Sequence, residues 1–205
     1  MSTRTVLTPY TDLFTVPGAR AFSAAGWLAR LPIATVGLGS LLLVQGETGS
    51  YGLGGAVSGT LALSFAVASP QWGRAADRLG QGRVLRAATT LYLLLGAAFV
   101  VVVVAGAPRW SWFVLAALTG ATEANIGSLV RARWAHALPE PGRLQTAFAF
   151  ESVVDEVVFV VGPPLATVLA ASVAPAAGFL LGLAAGVVGG FALAGAALLR
   201  PRRTA

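Results

Sequence analysis

Of the chain's 205 residues, 56% are hydrophobic and 11% charged, and mean hydropathy is +0.77, more apolar surface than one small water-soluble core can hide. A lipid-spanning helix needs about 20 apolar residues, so six of them would use nearly the whole chain and leave no room for a soluble catalytic domain. The net charge of +6 comes from arginines scattered between apolar runs rather than gathered on one face, which argues against a nucleic-acid partner.

Residues 1–20 carry Thr, Pro and Asp instead of a basic start, an apolar run and a small-residue cleavage site. They read as a cytoplasmic amino-terminal segment, and the first span as an uncleaved anchor. Apolar runs set against turn residues and charges then predict spans over 21–45, 51–72, 84–106, 111–130, 146–171 and 176–199, a transmembrane bundle of residues 21–199. The connections are 46–50, the basic loop 73–83, 107–110, the loop 131–145 and a short break at Pro175. Residues 200–205 form a basic cytoplasmic tail.

The arginines set the orientation. With a cytoplasmic amino terminus, Arg4, Arg20, Arg74, Arg78, Arg83, Arg86, Arg131, Arg133, Arg143, Arg200, Arg202 and Arg203 fall on the cytoplasmic side and only Arg109 outside. Losing or merging one span would erase that bias. Trp72, Trp110, Trp112 and Trp134 lie at span ends, where their rings favour the headgroup layer.

Five ionisable residues remain inside the spans: Arg30 in the first, Glu123 in the fourth, and Glu151, Asp155 and Glu156 in the fifth. Near mid-membrane an unpaired charge costs at least about 2.5–3.5 kcal/mol, so Arg30, Glu123 and Asp155 are expected to face protein or water. Asn125, two residues beyond Glu123, joins them as a candidate on the substrate or proton pathway. Glu151 and Asp155 share a helix face, whereas Glu156 points about 100° away from Asp155. Four carboxylates face one internal arginine, so one of them is expected to carry a proton. Glu151 also reads as a structural brace, paired with Arg131 or Arg133. The third and sixth spans hold no acid and no internal arginine, which assigns them to the outside and spans one, four and five to the inside.

Backbone breakers lie next to these charges. Pro32 follows Arg30, and Gly162-Pro163-Pro164 interrupts the fifth span, so both helices are expected to kink and either gate or simply shape packing. Gly178, Gly182, Gly186 and Gly190 repeat every four residues in the sixth span, a smooth stripe for close approach within the bundle or between copies.

What is missing also narrows the function. Without cysteine, and with His136 the sole histidine, neither disulfides nor a metal cluster are expected, and no cofactor is called for. His136, near Pro139 and Glu140, reads as a solvated loop residue. Lysine is absent, which excludes the G-x-x-x-x-G-K-[ST] loop of ATP-driven pumps. No G-x-S-x-G or H-E-x-x-H sequence occurs, so nothing points to an enzyme.

Residues Gly73-Arg74-Ala75-Ala76-Asp77-Arg78-Leu79-Gly80-Gln81-Gly82-Arg83 resemble the G-x-x-x-D-R-x-G-R-[RK] loop of the major facilitator superfamily, between spans two and three where that family has it. Gln81 and Gly82 stand where the family has basic residues, and Arg83 follows one position on. Gly162-Pro163 resembles the core of the fifth-helix motif of that superfamily's drug/proton antiporters, without its later paired glycines. Glu123 before Gly127 replaces the arginine such antiporters tend to carry. The resemblance implies an all-α membrane fold, a six-helix half of two inverted three-helix repeats, with helices one and four lining a central cavity. It further implies a cytoplasmic gating loop built on Gly73, Asp77, Arg78, Gly80 and Arg83, with Asp77 and the arginines as a breakable latch.

The expected function is secondary active transport of a small solute, proton-coupled, across a bacterial cytoplasmic membrane by a half-size or truncated facilitator. Its partners would be the substrate, protons, lipid, and a second copy or a second six-helix half. Two alternatives stand beside it: a non-transporting membrane partner that docks through the glycine stripe, and an inactive fragment needing its other half.

Overall fold

The computed structural model describes residues 8–196 as eight helices, with no strand among the described residues. In chain order they are α1 (Thr8–Leu13), α2 (Ala19–Thr48), α3 (Tyr51–Leu79), α4 (Gln81–Val104), α5 (Arg109–Thr122), α6 (Ile126–Ala137), α7 (Pro141–Ser172) and α8 (Ala177–Ala196). Six segments are long and apolar enough to cross a membrane, with α5 and α6 together forming the fourth. The protein is therefore an all-helical six-span bundle. Arg4, Arg200, Arg202, Arg203 and the end of the sixth expected span lie outside the described residues.

Local chemistry accounts for most helix ends. Gly49, at φ +71°, closes α2 by donating its N–H to Gln45 O at 2.7 Å, a left-handed position that favours glycine. Ser50 then caps α3, its hydroxyl accepting from Leu53 N at 3.2 Å. Pro141 opens α7, where its missing N–H costs nothing.

Two expected loops are mostly helix. Residues 73–79 continue α3, and Gly80 alone, at φ +87°, turns the chain into α4. Ala75-Ala76-Asp77-Arg78-Leu79 contains no helix breaker, so charge marked where the chain leaves the apolar layer but not where the helix stops. Likewise α6 runs to Ala137, and only residues 138–140 separate it from α7. His136 thus lies on the exposed last turn of a helix rather than in a loop.

The order of burial also differs from expectation. The apolar windows of α2 and α8 are 61% and 56% buried, against 17% for α3 and α7, and α2 with α8 makes the most extensive helix pair. The sixth span is thus an inner helix. The fifth turns only one face inward, through Ala147, Glu151, Val158, Gly162 and Ala166. The lack of charge in α8 reflected close helix packing rather than lipid exposure.

Glycines make that packing possible. A Cβ on Gly182 would strike the Thr35 hydroxyl and Val36 of α2, one on Gly189 the backbone of Ala29, and one on Gly190 the Thr89 hydroxyl of α4. Gly178 meets the backbone of Ala166 on α7 in the same way. The glycine stripe is filled from within the bundle, as close backbone approach requires in a membrane where packing replaces the hydrophobic drive.

Two apolar clusters flank the charged layer. One gathers Leu13, Phe22, Leu85, Trp134, Ala147 and Leu193. The other gathers Val36, Leu43, Val57, Phe99, Trp112 and Phe179. Trp134 and Trp112 are therefore core residues rather than headgroup anchors, while Trp110 is exposed.

Candidate functional site

The fourth span breaks at its charge. The α5 helix stops at Thr122, residues 123–125 are not helical, and Asn125 starts α6 by accepting the Ser128 N–H on its side-chain oxygen at 3.1 Å. Near the break, Trp72 of α3 donates its indole N–H to Ala121 O at 2.7 Å, satisfying a carbonyl freed at the end of α5. Asn125, with Ser128 three residues on, is the pattern from which this helix start was readable.

A cavity of about 220 Å³ opens at this point, lined by Arg30 and Ile33 of α2, Phe65 of α3, Glu123 and Asn125 of the break, Arg131 of α6, and Asp155 and Phe159 of α7. It joins most of the expected pathway residues. Arg30 pairs with Glu151 at 2.5 Å and reaches Asp155 at 3.4 Å, and Asp155 accepts from Arg131 at 2.6 Å. The remaining Glu151 oxygen accepts the Trp134 indole N–H at 2.7 Å. The result is a chain of charges, Glu151, Arg30, Asp155 and Arg131, that links α2, α6 and α7.

Three expectations about this region change. Glu151 pairs with Arg30, not with Arg131 or Arg133, because it sits opposite Arg30 in the core while Arg131 faces Asp155 one helical turn along. Arg133 instead donates to Gln81 Oε1 at 2.8 Å and to Leu193 O at 2.9 Å, tying α6 to α4 and α8. Arg30 is also not the sole internal cation, since the break carries Arg131 back into the bundle. The apolar run ends at Val130, so by hydropathy Arg131 and Trp134 belong beyond the span, whereas the structure brings both to the charged layer.

Glu123 stands apart: it lines the cavity, but its carboxylate makes no ion pair or hydrogen bond among the described residues. Glu156 does not join the site. It is exposed on α7 beside Val153, Val157 and Val160, in keeping with its expected direction away from Asp155.

The residues expected to kink helices and to gate lie in α2, α3, α4 and α7 and at the turn between α3 and α4. Pro32, Pro163 and Pro164 lie inside helices that remain unbroken, so the Gly162-Pro163-Pro164 run does not interrupt α7. Gly162 is a contact point, where a Cβ would meet Ala34 of α2 at 2.7 Å. Of the loop residues, Gly73, Asp77 and Arg78 belong to α3, Gly80 makes the turn and Arg83 belongs to α4. Asp77, Arg78 and Arg83 are exposed, and Asp77 makes no ion pair among the described residues. Among the described residues no group of His, Asp and Glu could hold a metal.

Neither a comparison with curated proteins nor one with solved structures gave a match. A match to a protein family extends from residue 22 to residue 205, through all six spans, the charged cavity and the turn at Gly80. On that match, and on a six-span bundle of the half-size such a fold requires, the chain belongs to the Major Facilitator Superfamily of transporters.

Proposed function

We propose that the protein moves a small solute across a bacterial cytoplasmic membrane by proton-coupled secondary transport, as one six-helix body of a two-body transporter with both termini cytoplasmic. The carrying observation is that one cavity contains both an ion-paired set and an unpaired acid. Arg30 and Arg131 balance Glu151 and Asp155, which leaves Glu123 as the group that a proton or a cationic solute would neutralise. The balanced set supplies the second element of a transport cycle. Its pairs join three helices, and a solute that competes for Arg131 or Asp155 would loosen α6 from α7.

The second body is argued from α3 and α7. Their poorly buried faces carry Leu63, Val67, Val153 and Val160, and Glu156 lies on the same face of α7. An unpaired charge facing lipid at that depth costs at least about 2.5–3.5 kcal/mol, so a protein surface opposite Glu156 is favoured over hydrocarbon. A second copy inserted in the same sense, or a second six-helix half, would provide it. The glycine stripe gives no support to the alternative of a docking protein, since α2, α4 and α7 already fill it.

Reconstitution into proteoliposomes, with and without an imposed pH gradient, tests the proposal. Asp155→Asn should abolish gradient-driven flux while membrane insertion persists. Full driven flux in that variant would remove the charge chain from the mechanism.

A further inference from the structure

A second, smaller chamber adjoins the charged cavity, and Glu123 lines both. Its other walls include Pro32 of α2, Thr89 and Tyr92 of α4, Thr122 of α5 and Gly186 of α8. Its volume is about 20 Å³, and a space of roughly 10–15 Å³ suffices for one water molecule, so it accommodates one water and no larger solute. Tyr92 is only 4% exposed, and its hydroxyl has no hydrogen-bond partner among the described residues. The Thr122 hydroxyl is already used, donating within its own helix to Leu118 O and Thr119 O. Three polar groups therefore meet at this chamber with unmet hydrogen-bonding capacity among the described residues: the Tyr92 hydroxyl, the Thr89 hydroxyl and the Glu123 carboxylate.

We propose that the chamber holds a single water, which accepts a hydrogen bond from Tyr92 and donates one to Glu123, making Tyr92 the positioning residue for that acid. A polar recess of this size, with the Tyr92 hydroxyl, the Thr89 hydroxyl and the Glu123 carboxylate on its walls, offers the two to four partners that an ordered water needs. The arrangement explains why Glu123 stays out of the ion pairs although it shares a cavity with Arg30 and Arg131. It also explains why α8 presents glycine here, since a Cβ at Gly186 would meet Pro32 at 2.7 Å and Tyr92 at 3.1 Å. The water site stands without the transport reading. Only its consequence, that the proton on Glu123 is held on the chamber side until the cavity changes, rests on Glu123 as the proton carrier.

Infrared difference spectroscopy on the purified full chain in lipid nanodiscs at acid pH tests this. Glu123→Gln identifies the protonated carboxyl band of Glu123. Tyr92→Phe, which keeps the ring and removes the hydroxyl, should shift that band to higher frequency, and a band left in place would overturn the proposal. Exchange into water enriched in oxygen-18 should shift an O–H stretch that Tyr92→Phe abolishes. If no oxygen-18-sensitive band exists, Tyr92 and Glu123 bond directly or not at all, and the water site is refuted. If Tyr92→Phe fails to fold, Glu123→Gln, which removes the carboxylate acceptor and keeps the Tyr92 hydroxyl, should shift the same oxygen-18-sensitive stretch, and a stretch it leaves in place would overturn the proposal. Should the site pass while Glu123→Gln leaves pH-driven transport intact, the transport assignment of Glu123 fails alone.

Discussion

Arg30 and Glu151 face each other at 2.5 Å with their side chains only 4% and 1% exposed, and Trp134 holds the other Glu151 oxygen at 2.7 Å. Removing one member of a buried ion pair strands the other and typically costs about 3–5 kcal/mol. Glu151→Gln should therefore lower the thermal midpoint of the detergent-solubilised protein clearly, while Glu156→Gln, on an exposed face, should move it little. Equal midpoints for the two variants would contradict the placement of Glu151.

Glu123 carries the coupling prediction. Glu123→Gln mimics the protonated acid and leaves the Arg30, Glu151, Asp155 and Arg131 pairs intact, so solute should still equilibrate down its own gradient. A pH gradient should no longer accumulate it. The two fluxes are measured side by side in proteoliposomes, and retained accumulation would move the proton elsewhere.

The α2–α8 seam predicts a contrast between glycines. Gly189→Leu would drive a side chain into the Ala29 backbone, and overpacking of this kind costs about 1–3 kcal/mol or more. The same replacement at Gly55, where a Cβ meets nothing within 4 Å, should be tolerated. Fluorescence-detected size exclusion after heating separates the two. Loss of association between folded copies, instead of loss of the fold, would return the stripe to a docking role.

The chain has no cysteine, so single cysteines report contacts without background. Glu156→Cys or Val160→Cys, on the exposed face of α7, should cross-link to a second six-helix body in native membranes. Val188→Cys on α8 should not. A strictly monomeric product at all three positions would count against a two-body transporter.

Much of this architecture was readable from residue chemistry alone. Six apolar runs and the distribution of arginines give six spans, and a four-residue spacing places Glu151 and Asp155 on one face, where both reach Arg30. Hydropathy failed where composition and geometry part company. A lipid-facing helix and a glycine-packed one are equally apolar, so hydropathy alone puts α8 outside and does not register its contact with α2. A run of charge ends an apolar stretch without ending a helix, which hid the continuation of α3 to Leu79 and of α6 to Ala137. Arg131 and Trp134 became site residues only because residues 123–125 interrupt the fourth span, and a window average cannot register three residues.

That interruption has a neighbour across it. Trp72 bonds to Ala121, so the point where the fourth span is severed is also where its first segment is riveted to α3. The second segment is fastened elsewhere, through Arg133 to α4 and α8 and through Trp134 to α7, so the two pieces of one span are moored to different neighbours and Glu123 sits at the joint between them.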